Sequence, residues 1–257
     1  MYWISIILLV LSSEDSCESE SPLRILHGRN AQDGEFPFVV VLLKRESVED
    51  AISTESGYPV GRQCTGSAIS EFWALTAAHC IEKKSSPASY YVWHTNFTSA
   101  TAIRKLSSSV QKIFIHPAYS KLVKPDRSTE DFLKNDISLL FVDKMTLASY
   151  GRLLAVDHLT LIGLPATYVG GGDTGSTKPG DDQLRPLQVG EGGIQPCSKT
   201  SEASYFICVA PKCDFLEQKL FFGDTGGPLL YNGRIIGVLS LLDQFNSLFA
   251  AISPHLN

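Results

Sequence analysis

Three polar residues stand in settings suited to acyl transfer. His79 closes the apolar segment ALTAAHC, Asp136 opens KNDISLLFV, and Thr225 lies in FFGDTGGPLL, Phe221 to Leu230. Transfer of an acyl group to water needs a hydroxyl nucleophile, a base for its proton, a carboxylate to orient the base, and donors for the oxyanion. Thr225 carries a hydroxyl. His79, at the end of an apolar run and followed at once by Cys80, can be held by a disulfide, with Cys64 a candidate partner. Closing a loop of about 15 residues would contribute roughly 3 kcal/mol in the chain-entropy model. Asp136 precedes an apolar strand, where a carboxylate is stable as an anion only when hydrogen-bonded, and an imidazole N–H is one such donor. The glycines around Thr225 allow a backbone close to a substrate, so the amides of Gly223 and Thr225 are the expected oxyanion donors. Taken singly, each signal is weak: a lone histidine is more often a surface or satisfied core residue. His27, His94, His116, His158 and His255 are assigned no chemistry.

The elements that must position these residues are strands. Short apolar runs recur between turn residues: Phe38 to Leu43, Phe72 to Ala78, Val110 to Ile115, Ile137 to Val142, Tyr205 to Ala210, Gly226 to Leu230 and Ile235 to Leu241. Most are rich in β-branched or aromatic residues, and no long stretch carries a helical period. The chain therefore reads as all-β, a sandwich or barrels. Arg45 to Gln63 and Ser120 to Asn135 read as long surface loops. The glycine-rich stretch Val169 to Asp182 reads as the most flexible part, either a linker between two β units or a loop within one.

Length and composition bound the class. The chain has 257 residues, 44% hydrophobic and 19% charged, long enough for a sizeable core. A net charge of −5 argues against nucleic acid or an anionic membrane surface as partner. No ligand-spaced His/Cys cluster and no phosphate loop is present, so neither metal nor cofactor is expected. The apolar run Ile4 to Leu11, followed by Ser12 and Ser13, has the form of a secretory signal peptide and is too short to span a bilayer, although no Lys or Arg precedes it. Six cysteines fit an oxidising compartment, and Asn96-Phe97-Thr98 is an N-glycosylation sequon.

TAAHC, NDISLL and GDTGGP follow in the order His, Asp, hydroxyl, and together they resemble the chymotrypsin and trypsin family of serine proteases. Further segments support the resemblance. Arg24-Ile25-Leu26-His27-Gly28 looks like an activation cleavage site, CTGSAI (Cys64 to Ile69) like the strand before the histidine loop, and Gly170 to Gly172 like the family's glycine-tryptophan-glycine turn. HPAY, His116 to Tyr119, and YFICVA around Cys208 also have counterparts there. The resemblance implies two antiparallel six-stranded β-barrels with the site in the cleft between them. It implies disulfides Cys64–Cys80 and Cys197–Cys208, with Cys17 and Cys213 unassigned. It also implies a switch in which cleavage after Arg24, by an activating protease, frees the amino group of Ile25 to pair with Asp224. The expected organisation is a signal peptide over 1–16, a short propeptide over 17–24 and a peptidase domain over 25–257. The first barrel would occupy about 25–145 and the second about 146–257, with a shortened C-terminal helix.

Three departures bear on function. The family has serine where Thr225 stands, and the added methyl restricts χ1 and crowds a site built for serine. Displacing a reacting atom by about 1 Å costs on the order of 100-fold in rate. In the strand that lines the family's specificity pocket the matching residues are Ser240, Leu241 and Leu242, a leucine replacing the glycine of the pocket mouth. Lys219 falls near the pocket floor, which is then not the acidic floor of trypsin. The chain stops at Asn257, where the family continues into its C-terminal helix. The expectation is a secreted, extracellular, monomeric trypsin-like homologue with impaired or absent proteolysis that acts by binding a protein or peptide. The alternative is an active serine-type endopeptidase that uses Thr225 as nucleophile.

Overall fold

A computed structural model describes residues 28–45, 60–82, 85–99, 105–122, 132–172, 184–197, 205–211, 223–242 and 247–256. Six strands close the first barrel: β2 (Val39–Arg45), β3 (Val60–Ala68), β4 (Trp73–Thr76), β5 (Tyr90–His94), β6 (Ser107–Ile115) and β9 (Ser138–Val142), in the order β2-β3-β4-β9-β6-β5. The second is built from β10 (Pro165–Gly170), β11 (Gln188–Gln195), β12 (Phe206–Pro211), β13 (Pro228–Tyr231), β14 (Arg234–Leu242) and β15 (Ser247–Ala251). Its order β11-β10-β13-β14-β15-β12 is closed by pairing of β11 with β12. The short β1 (Arg29–Asn30) adds to β11, so this strand joins the second barrel although it precedes the strands of the first in sequence. All barrel pairings are antiparallel. Apart from Lys105, which is α-helical, the helical elements among the described residues are short 3-10 turns, and no helix there is long and apolar enough to cross a membrane.

Burial explains the strand sequences. In β2 the five residues Val39 to Leu43 are all buried, which is why they form an unbroken apolar run rather than an alternating one. One apolar cluster joins them to Val169, Leu187, Leu230, Ile235 and Val238 of the second barrel. A second cluster fills the second barrel around Tyr168, Ile207, Leu229, Ile236 and Phe249. The shared cluster seats one barrel on the other and so fixes the walls of the junction between them.

Two loop expectations need correction. Val60 to Gln63 belongs to β3, and Ser120 to Asn135 contains a hairpin of β7 (Ser120–Leu122) and β8 (Phe132–Lys134). Both pieces are mostly polar by composition, and their backbone is paired with another strand: Val60 to Gln63 with β2, and β7 with β8. Tertiary pairing overrides local propensity there. Val169 and Gly170 of the glycine-rich stretch end β10, and Gly171 and Gly172 are buried; its remainder lies outside the described residues.

Candidate active site

His79 sits in the 3-10 turn Ala78–Cys80 that follows β4, and Asp136 stands just before β9, the strand paired with β4. The pairing Thr76↔Ser138 brings the two strand ends side by side, so the imidazole and the carboxylate meet although 57 residues separate them. His79 Nδ1 lies 2.6 Å from Asp136 Oδ2, and the His79 amide donates to Asp136 Oδ1 at 2.8 Å. A third donor comes from the other barrel: Ser240 Oγ donates to Asp136 Oδ2 at 2.6 Å. Asp136 is fully buried, and these bonds are what make a buried carboxylate tolerable. The network fixes Nδ1 on the carboxylate, while Nε2 lies 3.9 Å from Cys80 Sγ. Nearby, burial and the charge of Asp136 push the Tyr119 phenol up to about 12, so it stays protonated.

Asn135 shapes the approach to Asp136. It takes a left-handed backbone, φ 53°, its side chain donates to the Ala118 carbonyl at 2.9 Å, and its own carbonyl accepts from the Ile137 amide. Asparagine is among the few residues that adopt this conformation at low cost.

The loop Gly223–Gly227 carries Thr225. Gly223 and Gly226 both have left-handed φ, +88° and +85°. A side chain at Gly226 would meet Thr65 O at 2.2 Å and Thr76 Oγ1 at 2.3 Å, so glycine is required there by space as well as by backbone. The amides of Gly226 and Gly227 donate to Leu239 O and Asp224 O. Those of Gly223 and Thr225 donate to no other described residue. Two N–H groups without a partner among the described residues, two positions apart in a tight turn, have the chemistry of an anion receptor.

Thr225 itself points elsewhere. Its Oγ1 lies 3.3 Å from Cys64 Sγ and 3.9 Å from Cys80 Sγ, and no hydrogen bond joins it to His79. The sulfurs form the Cys64–Cys80 disulfide, which ties β3 to the histidine turn; a second disulfide joins Cys197 and Cys208. With Oγ1 on the disulfide, the two other positions on Cβ hold the methyl and a hydrogen. The same geometry groups Cys64, Cys80 and His79 within 4.8 Å, a spacing a metal could use. The sulfurs are bonded to each other, however, so no thiolate is on offer.

Asp224 is buried and accepts from the Gly172 amide at 2.7 Å. Gly170 packs so closely that a Cβ there would lie 2.2 Å from Asp224 Oδ1. The Tyr168 phenol is raised above its ordinary range, by burial first and then by the charges of Asp224 and Glu191. Ser240, expected on the pocket wall, is buried with its hydroxyl on Asp136, and Leu241 packs against Phe206, Cys208 and Leu248. The Leu242 side chain, Lys219, Arg24, Ile25, Cys17 and Cys213 lie outside the described residues. The expectation had Ser240 as pocket and did not anticipate its bond to Asp136; nor did it single out Thr65, whose neighbours become visible only when the barrels meet.

Two closed antiparallel six-stranded barrels, with a His–Asp pair at their junction and a glycine turn facing it, define the trypsin-like class. The Trypsin family model matches residues 25–248, and the chain belongs to that family. Among its relatives, lectizyme of Glossina austeni is 34% identical over 234 residues, covering 84% of this chain and 76% of that protein. Trypsin of Simulium vittatum is 25% identical over 241 residues, covering 86% and 85%. The solved structure of the VesB protease of Vibrio cholerae superposes with a TM-score of 0.63 at 25% identity; the match covers 90% of this chain and 65% of that one.

Proposed function

We propose that this chain is a secreted trypsin-like serine protease homologue whose proteolysis is impaired or absent and which acts by binding a protein or peptide in or around the inter-barrel cleft. The observation that carries this reading is the direction of the Thr225 hydroxyl, 3.3 Å from a disulfide sulfur and without a bond to His79. A nucleophile that does not share its proton with the base is not activated. The remaining machinery supports a competing reading, an endopeptidase using Thr225: His79, Asp136 and Ser240 form an intact network, and the Gly223 and Thr225 amides are unpaired toward described groups. In either reading, residues 1–16 direct secretion, and an activating protease cleaves after Arg24 so that Ile25 pairs with Asp224. Asn96 would carry a glycan: it is exposed in a left-handed turn, with the Thr98 hydroxyl 3.4 Å from its side-chain oxygen.

The test compares three chains cleaved at Arg24–Ile25: the natural protein, Thr225→Ser and His79→Ala. A fluorophosphonate probe and a peptide library report on each. The expected outcome is labelling and hydrolysis only in Thr225→Ser, at least about 100-fold above the natural chain. Labelling of the natural chain that depends on His79 would establish Thr225 as nucleophile and overturn the binding-only reading.

A further inference from the structure

The Thr65 side chain is wholly buried on β3 of the first barrel, yet both of its hydroxyl contacts are to the second-barrel half of the chain. Its Oγ1 donates to the Gly223 carbonyl at 2.7 Å and accepts from the Gly171 amide at 2.8 Å. Its backbone adds a third tie to the same region, the Thr65 amide donating to the Thr225 carbonyl at 2.8 Å. Its carbonyl is held in turn by Thr76 Oγ1 at 2.7 Å. Arg62, on the same strand, donates to the Gly171 carbonyl at 2.8 Å, and the next residue, Gly172, donates to Asp224. The carbonyls of Gly223 and Thr225 are thus both bound to one residue of the other barrel, and the glycine turn that supports Asp224 is bound to it as well.

We propose that Thr65 is a positioning residue for the oxyanion loop: its hydroxyl bridges Gly171 and Gly223 and holds the loop so that the Gly223 and Thr225 amides stay free for an anion. The inference rests on the reading of those two amides as oxyanion donors. The chemistry selects the residue type. A hydroxyl both donates and accepts, so one small group can join a carbonyl to an amide. β-Branching limits χ1 and keeps the bridge in one geometry. Binding the Gly223 carbonyl fixes the peptide plane between Gly223 and Asp224, hence one of the two torsions of Gly223. Glycine is the residue with most freedom to lose there. A preorganised donor pair stabilises a developing oxyanion because it needs no reorganisation during the reaction.

The test uses full-length chains carrying Thr65→Val, which keeps the shape and removes the hydroxyl, and Thr65→Ser, which keeps the hydroxyl. Thr65→Ala serves as a second variant should Thr65→Val not fold. Amide hydrogen exchange is followed over 170–172 and 223–227, with β5 and β6 as internal controls. Thr65→Val is expected to speed exchange in those two segments by about tenfold, with β5 and β6 unchanged and Thr65→Ser close to the natural chain. The same substitutions are then placed in the cleaved Thr225→Ser protein. There Thr65→Val should lower kcat on the order of 10- to 100-fold with KM little changed, and Thr65→Ser should restore it. Unaltered exchange in both segments, or a rise spread evenly through the first barrel, overturns the proposal. So does an unchanged kcat in a reactive Thr225→Ser background. If that background shows no hydrolysis, the oxyanion reading fails by itself, and the exchange pattern still decides whether Thr65 holds the loop.

Discussion

At the residue scale, a buried polar group persists only where its partners surround it, and departures from that rule show as pH dependence. Asp136 meets the rule with three donors from two barrels. His94 meets it poorly: it is buried on β5, with one 3.4 Å contact to Ser108 Oγ and no partner for Nδ1 among the described residues. Burial holds its pKa below the ordinary value. In the unfolded chain the ring takes up a proton near pH ~6.5, whereas the folded protein resists it to lower pH. The unfolded state therefore binds more protons in that window. The stability contribution is complete above pH ~6.5 and is lost as the pH falls through the depressed folded value. His94→Gln should flatten the fall in denaturant midpoint between neutral and mildly acid pH. Some slope should remain from His255, which is lowered by burial and by its neighbour His116. Curves of equal slope for the two proteins would show that His94 is not the sensitive group.

At the element scale, the loop Gly223–Gly227 depends on contact with β3 and β4 more than on its own residues. Gly226 has a left-handed φ and faces the Thr65 carbonyl and the Thr76 hydroxyl at distances no Cβ can share. Gly226→Ala should cost about 2–5 kcal/mol, from the backbone conformation and from overpacking together. Gly193 on β11 has nothing within 4 Å of a built Cβ, and Gly193→Ala is the matched control, expected within about 1 kcal/mol of the natural chain. Denaturant midpoints separate the cases: equal midpoints for the two variants would mean that the loop moves away from β3 at little cost.

At the scale of the whole molecule, the barrels share an apolar cluster, the Asp136–Ser240 bond and the Thr65 ties, so neither has an independent surface at the junction. They should unfold together. Trp73 and Trp93, two of the three tryptophans, lie on β4 and β5 and report on the first barrel, whereas far-UV dichroism reports on strands of both. Fluorescence and dichroism should therefore give coincident transitions on the mature chain, from which Trp3 is expected to be absent. Separate midpoints would mean that the shared cluster does not couple the barrels.

Much of the strand content was legible in the sequence, and His79, Asp136 and Thr225 stood out there as candidates, because each is written in a contiguous segment; the Cys64–Cys80 disulfide was expected as well. Apolar runs such as Phe38 to Leu43 mark strands through side-chain type, and TAAHC, NDISLL and GDTGGP are recognised by adjacent residues. Strands such as β8, or the glycine-rich β11, were not legible, because their partners and not their side chains make them strands. The direction of the Thr225 hydroxyl was not legible either. A threonine can occupy several χ1 wells, and the one adopted here is set by a disulfide, a histidine turn and β3, which approach it from residues up to 161 positions away. The same holds for Ser240 on Asp136 and Thr65 on Gly223. Each is a bond between barrels, and a contact across two closed sheets exists only once both have closed.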